Sequence, residues 1–145
     1  MRNKKLTNVG IIGPNGIGLN HARIYSNKGI NIKSILSSSQ DSAQCAADTY
    51  KGYFGMRPLP FTNIEEMISS KLDAVSICSP YEYHLNHIIN SLDNNIPVFC
   101  EKPLFWDDAF TFAEVKKNLL LIKNHSMRKI FTNTCNTVFV EMLAD

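Results

Sequence analysis

The chain has 145 residues, 44% of them hydrophobic and 19% charged, a globular composition at about the ~100–200 residues of one domain. Fifteen Lys plus Arg against 13 Asp plus Glu leave a formal charge of +2, well short of the basic footprint of a nucleic-acid binder, so nucleic acid is not an expected partner. No apolar run approaches the roughly 20 residues that cross a membrane, so no membrane partner is expected either.

The basic start, Met1 to Asn8, is followed by only Val9 to Ile12 before Gly13-Pro14, too short an apolar stretch for a signal peptide. Val9 to Ile12 reads as the first strand, and His21 to Lys28 lies on a helix stopped by Gly29. Ile30 to Leu36 reads as the second strand, with Ile30, Ile32 and Ser34 facing one way and Lys33 and Ile35 the other. Ser37-Ser38-Ser39 caps a helix running to about Tyr50, and Lys51 to Pro60, with two Gly and two Pro, reads as a loop before a brief third strand near Phe61. Thr62 and Glu65 have capping-box spacing for the next helix.

Ala74 to Cys78 is the fourth strand, and Leu85, Ile88, Ile89 and Leu92 form one face of a helix by their i, i+3, i+4, i+7 spacing. Val98 to Cys100 is the fifth strand, Phe112, Val115, Leu119 and Ile122 mark a buried helical stripe, and Ile130 to Thr134 is the sixth strand. Six strands alternating with helices predict an α/β chain: a Rossmann-type, doubly wound, mostly parallel six-stranded sheet with helices on both faces. Residues 1–145 are read as one dinucleotide-binding domain. Cys45, Cys78, Cys100 and Cys135 form no CxxC pair, so no metal site is expected and four buried thiols in a reducing cytoplasm is the simplest reading.

Gly13-Pro14-Asn15-Gly16-Ile17-Gly18 falls where the first strand passes into the first helix. A dinucleotide site needs glycines there for a tight turn, close approach to a pyrophosphate, and helix-on-strand packing. The helix start adds free N–H groups and partial positive charge. The usual GxGxxG has a glycine where this chain has Asn15, the residue type that best tolerates positive φ after glycine. About 20 residues further on, where Asp or Glu normally binds the ribose 2′-OH of NAD, stands Ser37. A hydroxyl there would not repel a 2′-phosphate, which leans slightly from NAD toward NADP, although no Arg follows to clamp that phosphate. The plain alternative is that the three serines are only a loop and helix cap.

Ser79-Pro80-Tyr81-Glu82-Tyr83-His84 follows the fourth strand and Glu101-Lys102-Pro103-Leu104 the fifth. With Val9-Gly10-Ile11-Ile12-Gly13 and His21, these motifs resemble the N-terminal domain of the glucose-fructose oxidoreductase / inositol dehydrogenase family, from about Val9 to about Thr134. That resemblance implies NAD(P)-dependent oxidation or reduction of a sugar, cyclitol or nucleotide-sugar hydroxyl or carbonyl. It implies Gly13, Asn15, Gly16, Gly18, Ser37, Ser79, Pro80, His84 and Glu101 at the cofactor, Lys102 as the catalytic candidate, and a cis peptide before Pro103.

The positions also make sense physically, because in open parallel sheets ligands bind beyond the carboxyl ends of the strands, where Gly13, Ser37, Ser79 and Lys102 all fall. An ammonium at Lys102 would bind the nicotinamide ribose, polarise a substrate oxygen or lower the pKa of a reacting hydroxyl; the alternative is a surface lysine before a turn proline. Glu101 either orients Lys102 by an ion pair or caps the next helix, and His84 either supports the cofactor or is structural. His21 and Trp106 read as packing residues, and His87 and His125 as ordinary surface residues. The family's second, substrate-holding domain has no counterpart here, and Asn133 to Glu141 lacks the Arg often found after the sixth strand. Expected partners are therefore a pyridine dinucleotide and, only with the missing domain, a small-molecule substrate, with a homo-oligomer left open. A non-catalytic nucleotide-binding module and an NAD-assisted glycosidase fragment are the competing functions.

Overall fold

A computed structural model describes residues 7–125 and 130–133. The elements in chain order are β1 (Asn8–Ile12), α1 (Ile17–Asn27), β2 (Asn31–Leu36), α2 (Gln40–Phe54), β3 (Leu59–Phe61) and α3 (Ile64–Ile68). The second half holds β4 (Ala74–Ile77), a 3-10 turn (Tyr81–Tyr83), α4 (His84–Asp93), β5 (Val98–Cys100), α5 (Phe112–His125) and β6 (Ile130–Thr132). The strands form one sheet in the order β3-β2-β1-β4-β5-β6, every pair parallel. This is the doubly wound Rossmann arrangement, and strand order reverses between β1 and β4.

Each face of the sheet packs its own core. On one side Val9 and Ile11 of β1 and Ile32 and Ile35 of β2 meet Ala22 of α1 and Ala46, Ala47 and Tyr50 of α2. On the other, Ile12, Leu36, Val75, Ile77 and Val98 pack with Met67 of α3, Ile88 and Leu92 of α4 and Ile122 of α5. Strict alternation would place Ile32 and Ile35 on opposite faces. A bulge resolves this: Val9 pairs with Ile32 but Gly10 with Ser34, so Lys33 is the extra residue, and an extra residue swaps the facing of everything after it. Ser34 therefore leaves the Ile32 face and meets Ser70 on the opposite side.

Four further expectations are corrected. Helix α2 runs through Lys51 to Phe54 instead of yielding to a loop, ending at Gly55 with φ 71°, because a left-handed C-cap is the stronger stop signal. The α3 cap is Asn63, whose Oδ1 accepts from the N–H groups of Glu65 (2.8 Å) and Glu66 (3.1 Å); Thr62 is left out. The α5 stripe is only partly covered: Ile122 is buried and Val115 half-buried, but Phe112 is 85% exposed and Leu119 is exposed, since the element this helix packs on is α4. Of the thiols, Cys100 is buried and Cys78 half-buried, but Cys45 is exposed on α2. Thr134 and Cys135 lie outside the described residues. Among the described residues, no helix is long and apolar enough to cross a membrane.

Candidate functional site

The turn from β1 into α1 is built by three glycines with different duties. Gly13 has φ 77° and its backbone passes so close to the chain at Cys78-Ser79 that an added Cβ would lie 2.6 Å from the Ser79 nitrogen. Gly16 has φ 53°, a conformation L side chains rarely adopt, with open space around it. Gly18 lies in α1, where any side chain would overlap the carbonyl oxygen of Gly13. Asn15 does not take the positive φ expected of it: among the described non-glycine residues only Lys71 and Asn95 do. The left-handed step has moved one residue on, to Gly16, which is why the chain tolerates Asn15. The turn is fastened by Gly13 N–H to the Leu36 carbonyl (3.0 Å) and Gly18 N–H to the Asn15 carbonyl (2.9 Å). The buried Tyr50 hydroxyl donates to the Pro14 carbonyl at 2.7 Å, and burial raises the pKa of this phenol.

Above the turn lies a cleft of about 650 Å³ at the carboxyl edge of the sheet. Gly13, Pro14 and Asn15 form its floor, Ser37, Ser38, Ser42 and Thr62 one wall, and Ser79, Pro80, Tyr83 and His87 the other. The Ser37 and Ser42 hydroxyls bond to each other at 2.7 Å, and Ser39 caps α2 by accepting from the Ser42 N–H. At the start of α1 no side chain caps the free N–H groups and no acidic residue stands in the first turn. An uncapped, positively polarised helix end beneath a cleft suits an anionic group such as a pyrophosphate.

The other predicted residues take supporting positions. His84 is 1% exposed and does not line the cleft; its Nε2 meets the Ser79 carbonyl at 2.7 Å and its Nδ1 the Pro103 carbonyl at 2.8 Å. It thus ties the loop after β4 to the loop after β5. Glu101 neither pairs with the Lys102 ammonium nor caps a helix. Its Oε1 bonds His21 Nε2 at 2.9 Å and accepts from the Asn133 amide at 2.7 Å. His21 Nδ1 in turn meets the Ser76 hydroxyl at 2.8 Å, so this partly buried set joins α1, β4, β5 and the end of β6. Lys102 follows β5 at the same sheet edge, is exposed, and stands outside the cleft lining; the Lys102–Pro103 peptide is cis. Trp106 is half in solvent and donates to Asp108 at 2.9 Å, which makes it a poorer packing anchor than its size suggests.

Of the two histidines read as surface residues, His125 is exposed, with its Nδ1 3.1 Å from Asp93, and His87 departs from that reading. His87 lines the cleft, and its Nδ1 meets the Ser79 hydroxyl at 3.1 Å. The signal for it was available: three residues past His84, it stands on the helix that follows the Ser-Pro turn. Burial first, and neighbouring His84 second, push the His87 ring down to about 4. Its folded pKa is below the unfolded value of ~6.5, so its contribution to stability is intact above that value and is lost as the pH falls toward about 4, by up to about 3 kcal/mol. Urea midpoints measured from pH 7 to 4.5 should fall, and more shallowly in a His87→Asn variant; parallel profiles would refute this.

With the geometry in hand, residues 7–133 match the family described as "Oxidoreductase family, NAD-binding Rossmann fold". The inositol 2-dehydrogenase of Corynebacterium glutamicum (strain R) is 30% identical over 124 residues, covering 83% of this chain and 35% of that enzyme. The crystal structure of myo-inositol 2-dehydrogenase from Lactobacillus plantarum superposes with a TM-score of 0.74 at 26% identity, over 97% of this chain and 41% of that one. The fold is also that of scyllo-inositol dehydrogenase from Lactobacillus casei with bound NAD(H) and scyllo-inositol, with a TM-score of 0.76 at 23% identity, over 97% of this chain and 41% of that chain. The chain spans about a third of the length of the curated relatives it matches. On these matches the chain belongs to the glucose-fructose oxidoreductase / inositol dehydrogenase family of oxidoreductases, and the part of it present here is the NAD-binding Rossmann fold.

Proposed function

We propose that this chain binds NAD in the cleft between the glycine turn and the Ser79-Pro80 loop, as the cofactor half of an enzyme that transfers hydride to or from a cyclitol or sugar. The observation that carries this is the uncapped start of α1 beneath the cleft, at the point where strand order reverses. The α1 N–H groups and the close backbone at Gly13 would hold the pyrophosphate, and Ser37 would face the adenosine ribose. Bound NAD would supply the hydride acceptor. Lys102, beyond β5, would offer its ammonium to a substrate oxygen, with Glu101 and His84 bracing the loop that carries it. The relatives are dehydrogenases, which favours this reading over a non-catalytic module or a glycosidase.

NAD is preferred to NADP in this proposal. The Ser37 hydroxyl is already paired with Ser42, and no Arg or Lys is among the lining residues, so a 2′-phosphate would enter without a cation to meet it. Ser37→Asp should raise NAD affinity by about tenfold, the scale of one charge-assisted hydrogen bond, and weaken NADP. An NADP preference surviving that substitution would refute the assignment of Ser37.

The test of the function is calorimetric. NAD should bind the purified chain, while myo-inositol and NAD together should give no sustained turnover. Hydride transfer needs the reacting carbon held against the nicotinamide, and in this proposal the residues that hold it belong to the substrate half of the longer relatives. Absence of NAD binding at millimolar concentration would overturn the proposal. Turnover abolished by Lys102→Ala would overturn the second half alone.

A further inference from the structure

The cleft has two unlike walls, and only one of them is explained by the reading above. The Ser37 wall stands where a ribose is read at the end of the second strand, and the glycine turn lies where the pyrophosphate sits. What fills the space above the turn, between the loops after β2 and β4, is then the adenosine half of the dinucleotide. The nicotinamide half lies toward β5 and Lys102, which is outside this cleft. The wall facing Ser37 is therefore the wall that meets the base.

That wall carries two rings four residues apart, on the same side of the chain as it enters α4. Tyr83 and His87 have ring centroids 6.3 Å apart and planes inclined by 33°. His87 is fixed from behind by the Ser79 hydroxyl on Nδ1. Its Nε2 makes no hydrogen bond to a described residue, and no buried side-chain nitrogen or oxygen among the described residues is left unsatisfied, so this nitrogen reaches solvent on a residue that lines the cleft. A flat aromatic edge with one fixed polar nitrogen suits an uncharged, planar heterocycle that stacks and makes a hydrogen bond in its own plane. It does not suit a phosphate, which calls for cations or helix N–H groups.

We propose that His87, positioned by Ser79 and flanked by Tyr83, recognises the adenine base and determines base specificity at this end of the cleft. This rests on the proposal that the cleft binds NAD. The ring is held neutral under ordinary conditions, since burial pushes it down to about 4, so it acts by stacking and hydrogen bonding and not by charge.

The test compares NAD with nicotinamide hypoxanthine dinucleotide, which differs only in the base, by calorimetry on the whole chain. The wild type should prefer NAD by at least about fivefold, and His87→Ala should lose about tenfold in NAD affinity, the scale of one hydrogen bond with its stacking surface. His87→Asn keeps a group able to reach Ser79 but removes Nε2 and the ring, so it should lose the base preference as well. Circular dichroism and the unfolding midpoint identify which variants are folded. Equal binding of the two dinucleotides by the wild type would overturn the inference while leaving NAD binding intact. So would an undiminished adenine preference in either folded variant, or wild-type behaviour in His87→Asn, which would mean that His87 acts only through Ser79. Failure of the wild type to bind either dinucleotide would overturn the underlying function itself.

Discussion

Gly18→Val is expected to destabilise the chain by roughly 3 kcal/mol or more and to remove NAD binding from whatever remains folded. A Cβ at position 18 would overlap the carbonyl oxygen of Gly13 and approach its carbonyl carbon at 3.0 Å and the Ile11 side chain at 3.2 Å. Neither backbone can yield cheaply. Gly13 is held by its bond to Leu36 and has the Ser79 backbone against its other side, so moving it displaces both cleft walls. Gly16→Ala is the control, because nothing lies within 4 Å of the added methyl and only the φ of 53° resists it. Such backbone strain costs about 1–3 kcal/mol and leaves the Gly13–Gly18 contact intact. Urea titration should rank Gly18→Val below Gly16→Ala, and calorimetry should show NAD binding surviving only in the latter. A folded Gly18→Val chain with wild-type affinity would remove the glycine turn from the site.

Sheet topology was legible because each strand is a short β-branched or apolar run and each motif follows a strand end, so Gly13, Ser37, Ser79 and Lys102 fall at one edge. Legibility failed where one local signal competed with another. Thr62-Asn63 offers two N-caps in succession: the hydroxyl spacing to Glu65 points to Thr62, whereas the Asn63 amide oxygen takes the cap. At Thr111 and Glu114 a reciprocal capping box does form, with the Thr111 N–H donating to the carboxylate at 2.7 Å and the Glu114 N–H to the Thr111 hydroxyl; in the sequence the apolar stripe beside it is the louder signal. The Lys33 bulge leaves no mark in a six-residue strand that reads equally well without it. In the site, the family pattern of glycine at position 15 points to a positive φ at Asn15, while the adjacent Gly16 takes it at less cost. The Glu101–His21–Asn133 set depends on contacts between residues 32 to 80 positions apart. No spacing rule within one element reaches that far.

Glu101→Ala is expected to cost about 2–3 kcal/mol, because one half-buried carboxylate oxygen serves two partners at once and its loss orphans both. His21 Nε2 loses its 2.9 Å partner and the Asn133 amide its 2.7 Å acceptor. Asn133 follows the last residue of β6, an edge strand of three residues, so the bond is one of few that hold that edge to β5. Glu101→Gln retains one amide oxygen and should recover part of the loss. A double-mutant cycle decides which neighbour matters. If Glu101 works as a brace, Glu101→Ala and His21→Ala should show a coupling of about 1 kcal/mol or more in unfolding free energy, while Glu101→Ala and Lys102→Ala should add. If it worked by orienting the lysine, the couplings would be reversed, with Glu101→Ala and Lys102→Ala coupled and Glu101→Ala and His21→Ala additive. The structure favours the brace: the Lys102 backbone N–H meets Glu101 Oε2 at 3.4 Å, whereas the short bonds run to α1 and β6. The carboxylate of the Glu-Lys-Pro motif thereby holds in place the strand from whose end Lys102 projects.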